Sequence, residues 1–303
     1  MDDSDPLQPS TAATAGGDGT TQIVASDAAT RALTTPPADH GIGTADVSYV
    51  YALGRIEPRF PTLAVEKEFA QVTGRGDTAG LTDRQVLQAV LTQRENRYLL
   101  RKVCWVLTIE GLETYILRPR DPLDFDLLAE GLRSSPRPTD VDVVIGVLGP
   151  IAPPEVCNGL MVPMVAFDHL YSFDVDELIG SIPRPEGVEA EEFAPAAEEL
   201  FTRIMQMSDN AGSTDADRAL NYLSVRYPAI YHKAAERFTA DASLTSVAVR
   251  TSPLSGARTV VDVIFAYTDR NTDVTDKHFV RVDVTEEFPF LVSRLSPYFD
   301  REG

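Results

Sequence analysis

The sequence contains few of the residues from which covalent frameworks and catalytic centres are built. Among 303 residues there are two cysteines, four histidines and one tryptophan. Two cysteines do not make the disulfide framework of a small secreted domain. The first residues, MDDSDPLQPS, lack the basic and apolar regions of a secretory signal. We therefore predict a reduced, cytoplasmic protein.

Positive charge is also scarce. The chain has 27 Lys and Arg against 46 Asp and Glu, which gives a net charge of -19. An acidic chain repels phosphate groups, and no dense cluster of Lys and Arg offsets this repulsion. No apolar run reaches the length of a membrane span. These features argue against nucleic acid and membrane as partners.

The apolar pattern predicts an α+β fold with a mainly antiparallel sheet and packed helices. Residues 1–45 are small and polar, which is typical of a disordered N-terminal tail. Residues 46–303 are expected to fold. The charged, proline-flanked stretch 184–195 is a candidate acidic linker between two possible halves, 46–183 and 196–303.

The expected elements follow from apolar spacing and from helix start and stop signals. The predicted strands are 47–53, 103–109, 113–117, 141–148, 244–250, 259–267 and 278–285. The predicted helices are 63–71, 82–98, 121–132, 174–182, 196–207 and 214–238. We expect Pro228 to kink or split the last helix. The stretch 54–61 is predicted to be a turn-rich connector, and a tightly specified loop with an Asn158-Gly159 turn should follow Leu148.

No complete catalytic motif is present. The sequence has no G-x-S-x-G, no phosphate-binding loop, no G-x-G-x-x-G after a strand and no H-E-x-x-H. Of the four histidines, only His169, which follows Asp168, lies near the loop after Leu148 in the sequence. There it could act as a base for a Cys157 nucleophile. We therefore assign no catalytic residue.

The two cysteines have two interpretations. In a two-fold dimer, Cys104 and Cys157 of each subunit would together supply four thiolates, the ligand set of a structural zinc site. In the alternative, both are small buried apolar residues. The sequence does not decide between a zinc site and an apolar role.

Four polar residues near a glycine-containing loop are the candidate peptide-binding group. Arg218, Asn221 and Arg226 follow one another along a predicted helix, and Asn210 precedes it. Planar donors of this kind bind carboxylates and peptide backbone. The alternative is structural pairing with the surplus Asp and Glu.

Five stretches together resemble one known family. They are YVYALGRIEPRFPTLAVEKEFAQ (49–71), CWVLTIEGLETYILRPRD (104–121), VVIGVLGPIAPPEVCNGLMVP (143–163), DNAGSTDADRALNYLSVRYPAIY (209–231) and FVRVDVTEEFPFLVSRLSPYFD (279–300). The family is the C-terminal domain of unknown function of the cyanobactin maturation proteins PatA and PatG, and the likeness runs from about Asp46 to Arg301. In those proteins the domain follows a subtilisin-like protease, whose Asp, His and Ser blocks are missing here. We therefore expect a stand-alone copy without proteolytic activity.

The resemblance implies a setting in peptide maturation. It favours a non-catalytic accessory domain that binds a precursor peptide or a peptide-modifying enzyme, and we expect a homodimer. The alternative is a peptide-tailoring enzyme, with its chemistry near Cys157 and His169 or on the face that carries Arg218 and Asn221. Both cysteines fall within the matching stretches, which favours them as a metal or structural pair.

Overall fold

The computed structural model describes residues 47–74, 81–207 and 210–299, which lie in one compact unit of the chain, Thr44–Gly303. The predicted tail 1–45 lies outside the described residues. The strands are β1 (Tyr49–Arg59), β2 (Cys104–Ile109), β3 (Leu112–Pro119), β4 (Asp140–Ile151), β5 (Pro163–Asp174), β6 (Ala242–Thr251), β7 (Val260–Asp269), β8 (Thr275–Asp283), β9 (Phe290–Leu291) and β10 (Ser296–Pro297). The helices are α1 (Leu63–Thr73), α2 (Asp83–Leu91), α3 (Arg97–Lys102), α4 (Phe125–Gly131), α5 (Val175–Ser181), α6 (Ala190–Met205), α7 (Asp215–Arg226) and α8 (Ala229–Thr239).

Two sheets organise the described chain. Five strands close into a small barrel in the order β1-β2-β3-β5-β4, in which only β3 and β5 run parallel. The second sheet has the order β10-β8-β7-β6, and β9 also pairs with β8. All its pairs are antiparallel, as predicted for the last three strands. The predicted α+β fold is confirmed.

The first strand is longer than predicted. β1 continues to Arg59 through the stretch that we expected to be a connector. It pairs with β4 up to Gly54 and with β2 from Arg55 onward. A Cβ atom at Gly54 would lie 2.6 Å from the carbonyl oxygen of Thr108, so a glycine is needed where β1 changes partner. The connector prediction was wrong because this glycine serves close packing and not a turn.

The strand β5 was not predicted. The sequence predicts a loop after Leu148, whereas β5 pairs with β4 over almost its whole length. Polar residues such as Asp168 and His169 interrupt its apolar pattern, and a register shift disturbs the alternation of its faces. The predicted turn is present, with φ of 47° at Asn158 and 85° at Gly159.

The predicted helix signals are mostly confirmed. A capping box at Thr82 begins α2, and a second one at Thr214 begins α7. Pro228 separates α7 from α8. The helix after Thr82 is shorter than predicted, since α2 ends at Leu91 and α3 begins at Arg97.

The helix α6 begins at Ala190, six residues earlier than expected and inside the predicted linker. Its first turn carries Glu191 and Glu192, whose negative charges interact favourably with the positive end of the helix dipole. Pro195 lies inside the helix without ending it. Phe193 is buried, which anchors this early part of α6.

The largest apolar cluster joins the two sheets and the helices between them. It contains Tyr51 and Val143 of the barrel, Leu200 of α6 and Phe265 of the second sheet. Both predicted halves thus contribute to one shared core. Among the helices that the structure describes, none has the length and apolar character of a membrane span.

Candidate functional site

The candidate peptide-binding residue Arg218 is buried and uses its donors within the chain. Its side chain lies on α7 and the residue is 3% exposed. The Nη1 atom donates to the carbonyl oxygen of Val284 at 2.7 Å, and Nη2 donates to that of Glu286. Its guanidinium also stacks on the Tyr49 ring at 5.3 Å, and burial lowers its pKa. Arg218 therefore clamps the segment after β8.

The two asparagines form a buried pair. The Nδ2 atom of Asn210 donates to Oδ1 of Asn221 at 2.8 Å, and the reverse bond measures 3.1 Å. Asn221 also donates to the Tyr51 carbonyl oxygen at 2.8 Å. Arg226 differs from them because it is exposed, with its guanidinium 5.0 Å from the centre of the Tyr171 ring. Of the four predicted residues, only Arg226 is exposed.

The two cysteines form a disulfide within the chain. Cys104 on β2 is bonded to Cys157, and the residues are 1% and 0% exposed. A disulfide sulfur is not a thiolate, so this form does not supply the predicted zinc ligands or a Cys157 nucleophile. In the described part of the chain, no group of three His, Cys, Asp or Glu side chains forms a metal site. A zinc site shared across a dimer would require reduction and exposure of both sulfurs.

Asp168 lies at an irregularity of the barrel. Ile145 of β4 pairs with His169 and the next residue, Gly146, pairs with Phe167, which leaves Asp168 without a partner across the strands. Such a bulge redirects a side chain and often lies beside functional sites. The structure therefore directs Asp168 away from the regular alternation of β5.

Asp168 meets Glu287 from the segment after β8, with Arg120 beside both. The Nη1 atom of Arg120 lies 2.5 Å from Oδ2 of Asp168 and 3.8 Å from Oε2 of Glu287. Burial raises the pKa of Glu287 to about 7, and the hydrogen bond and like charge of Asp168 act in the same direction. Arg218 fixes the backbone of this segment. Near neutral pH the Glu287 carboxyl therefore titrates, beside Asp168 and Arg120.

His169 lies beside this pair and apart from Cys157, its predicted nucleophile. Its ring contacts Phe288 edge-on, with ring centres 4.8 Å apart. Cys157 belongs to a different apolar cluster, together with Cys104 and Val106. The structure thus brings Asp168 and the Arg218 clamp together through Glu287, while Cys157 takes no part.

A row of three cavities follows one face of α6. The volumes are about 210, 610 and 560 Å³. Glu110 and Met205 line both the first and the second cavity, and Asp176 and Glu198 line both the second and the third. We call this row the α6 groove. Its α6 wall consists of residues at helical spacing: Ala190, Phe193, Ala194, Glu198, Phe201, Thr202 and Met205.

The central cavity has an apolar floor and an acidic rim. Leu53 and Phe201 contribute to the floor. The hydroxyl of Thr108 also lines it and has no hydrogen-bond partner in the described residues. The charged lining residues are Arg55, Glu57, Glu110, Asp140, Asp176 and Glu198. A groove of this kind can hold an extended chain that presents apolar and cationic groups.

Comparisons with known proteins agree with this architecture. A family model described as "PatG C-terminal" matches residues 187–298. A solved structure titled "PatG Domain of Unknown Function" superposes with a TM-score of 0.66 at 21% identity, covering 83% of this chain and 98% of that chain. Residues 187–298 therefore match a PatG C-terminal-type domain, and the chain shares the fold of that solved structure. Comparison with curated proteins finds no match.

The matched PatG-type region includes α6, Arg218 and Glu287, and therefore one wall of the groove and half of the carboxyl pair. Glu287 was not predicted, because TEEFPF gives no local sign that a residue beyond β8 will meet a barrel strand. Asp168 was named only as the neighbour of His169. The groove was also missed, although the helical spacing of α6 was available from the sequence.

Proposed function

We propose that this chain is a non-catalytic accessory domain in the maturation of ribosomally synthesised peptides, and that it binds a precursor peptide in the α6 groove. The observation that carries the proposal is the row of cavities along the whole of α6. The helix has 16 residues, so at 1.5 Å per residue it is about 24 Å long. An extended peptide rises about 3.4 Å per residue, so the groove has room for about seven residues.

The size and chemistry of the groove support this function. Its central cavity of about 610 Å³ lies within the range of about 300–1,000 Å³ that is usual for binding sites. The PatG-type family adds the setting of cyanobactin maturation. Binding of a modifying enzyme through the same groove is the alternative within this proposal.

The test is a titration in which the protein is added to the fluorescently labelled precursor peptide and binding is measured by fluorescence anisotropy. Thr202 lies on α6 and lines the central cavity, so Thr202→Arg should fill the groove and abolish saturable binding. Thr251→Arg is the matched control, since Thr251 is exposed on β6 and lines none of the described cavities. Equal binding by both variants would show that the peptide does not use this groove.

The carboxyl pair supports a second candidate function. The Glu287 carboxyl has a pKa raised to about 7, and a carboxyl group that titrates near neutral pH suits general acid–base catalysis. The chain would then be a peptide-tailoring enzyme with its chemistry beside His169. Incubation with the precursor peptide should change the peptide mass with the wild-type protein and not with Glu287→Gln. An unchanged peptide mass in both reactions would favour the accessory role.

We also propose that the protein is a homodimer. Phe288, Phe290 and Val292 alternate along the segment around β9 and are between 43% and 45% exposed. Contiguous exposed apolar groups of this kind mark association surfaces. Light scattering coupled to size exclusion should give twice the mass of the chain, and Phe290→Ser should reduce it. A monomer at micromolar concentration would contradict the proposal.

A cytoplasmic location stays a proposal, and the cysteines provide its test. Disulfides are rare in cytosolic proteins, so this location predicts that the bond seen between Cys104 and Cys157 is reduced to two thiols in the cell. Zinc binding across a dimer also needs these thiols. Rapid alkylation of cell extracts, followed by mass spectrometry, measures the fraction reduced. A fully oxidised pair would contradict both the location and the zinc site.

A further inference from the structure

The acidic rim of the α6 groove is largely uncompensated. Within the described residues, Glu57, Glu110, Asp176 and Glu198 have no ion-pair partner, whereas Asp140 pairs with Arg133 at 2.8 Å. Two basic residues line the groove: Arg55, in the central cavity, donates to the carbonyl oxygen of Pro138, and Arg184 lines the third cavity. The four carboxylates without ion-pair partners outnumber these two cations, so the groove is acidic toward a ligand.

Three of these carboxylates lie at the ends of the central cavity. Glu110, in the β2–β3 turn, lies at the boundary with the first cavity, where Met205 forms the α6 wall. Glu198 and Asp176 lie at the boundary with the third. Glu198 and Met205 are seven residues apart on α6, a rise of about 10 Å, which an extended peptide covers in about three residues. The apolar floor lies between these ends.

We propose that the α6 groove selects basic peptide segments, in which two Lys or Arg side chains, two to four residues apart, flank an apolar residue. The basic groups meet Glu110 at one end and Glu198 with Asp176 at the other. The apolar side chain packs on Leu53 and Phe201. This inference rests on the proposed function and adds the class of ligand. A basic peptide is also complementary to the net charge of -19, because a negatively charged protein accelerates the approach of a cation.

The test uses three labelled seven-residue peptides that differ only at positions 2 and 6, with Leu at position 4. These positions carry Lys in one peptide, Gln in the second and Glu in the third. An exposed ion pair contributes about 0.2–1 kcal/mol, so two pairs should make the Lys peptide bind about 2- to 30-fold tighter than the Gln peptide at low salt. The difference should shrink at 1 M salt, where the screening length is about 3 Å.

Two adjacent glutamates give a matched pair of variants. Glu198 and Glu199 are both exposed on α6, but only Glu198 lines the groove. Glu198→Gln should weaken binding of the Lys peptide about 2- to 5-fold and leave the Gln peptide unchanged. Glu199→Gln should leave the ratio of the affinities for the Lys and Gln peptides as it is in the wild type. Equal losses in both variants would overturn the inference, because they would show attraction by net charge alone.

The outcomes separate this inference from the proposed function. If the precursor peptide binds and Thr202→Arg abolishes it, but the Lys and Gln peptides bind equally, the basic preference is wrong and the groove remains a peptide site. If the Glu peptide binds most tightly, the preference is also wrong. If no peptide binds, including the precursor, both the inference and the proposed function fall.

Discussion

The disulfide between Cys104 and Cys157 should contribute strongly to the stability of the barrel. It links β2 to the segment after β4 and closes a loop with a sequence separation of 53 residues. The chain-entropy relation, with about 54 residues in the loop, gives a stabilisation of about 4 kcal/mol. One kcal/mol shifts the melting temperature of a chain of this size by about 2–4 °C, so reduction should lower it by about 8–16 °C.

The assay is differential scanning calorimetry with and without a phosphine reductant. Complete reduction must be confirmed first by alkylating the thiols and weighing the protein, because both sulfurs are buried. The double variant Cys104→Ala/Cys157→Ala is the control, since its melting temperature should be low and should not respond to the reductant. If the fully reduced wild-type protein melts at the same temperature as the oxidised form, the loop-entropy reasoning is refuted.

Three further predictions test the carboxyl pair, the clamp and the barrel packing. The pKa of Glu287 is raised in the folded protein, so its protonated form stabilises the fold. This contribution to the free energy of unfolding is complete below the unfolded pKa of 4.5 and is lost as pH rises through about 7. Between pH 5 and 8, the free energy of unfolding of the wild type, measured in urea, should fall by about 1–2 kcal/mol relative to that of Glu287→Gln, after allowance for solvent screening. A difference between the two proteins that does not depend on pH would refute this. Arg218→Met should cost about 2–4 kcal/mol because buried carbonyl groups lose their donors, whereas Arg226→Met should cost under about 1 kcal/mol. Equal costs in urea unfolding would contradict the clamp. Gly146→Ala places a Cβ atom 2.3 Å from a carbonyl oxygen and should cost more than about 3 kcal/mol, whereas Gly180→Ala meets open space and should be neutral or stabilising. Similar melting temperatures for the two alanine variants would contradict the barrel geometry.

Local signals predicted much of the fold. The Thr82 and Thr214 caps and the break at Pro228 depend on neighbouring residues, so the sequence shows them directly. The closed barrel depends instead on pairing between distant strands. Gly54 looks like a turn residue until β2 is placed beside it, and β5 loses its alternation at Asp168.

The candidate site was harder to predict, for the same reason. Arg218 and Asn221 were selected for their hydrogen-bond donors, but both residues are buried. Their donors bind the chain's own backbone and Asn210 instead of a ligand. The pairing of Asp168 with Glu287 joins residues more than a hundred positions apart. No local spacing reports such a contact. The groove likewise exists only once α6 packs against the barrel.

Hydrogen–deuterium exchange of the full chain, with and without the precursor peptide, tests the peptide site most directly. Bound peptide should slow exchange along α6 (Ala190–Met205) and in the β2–β3 turn at Glu110 and Gly111. Exchange in β6, on the second sheet, should stay unchanged. Saturable binding with protection confined to another surface, such as the segment around β9, would contradict the account.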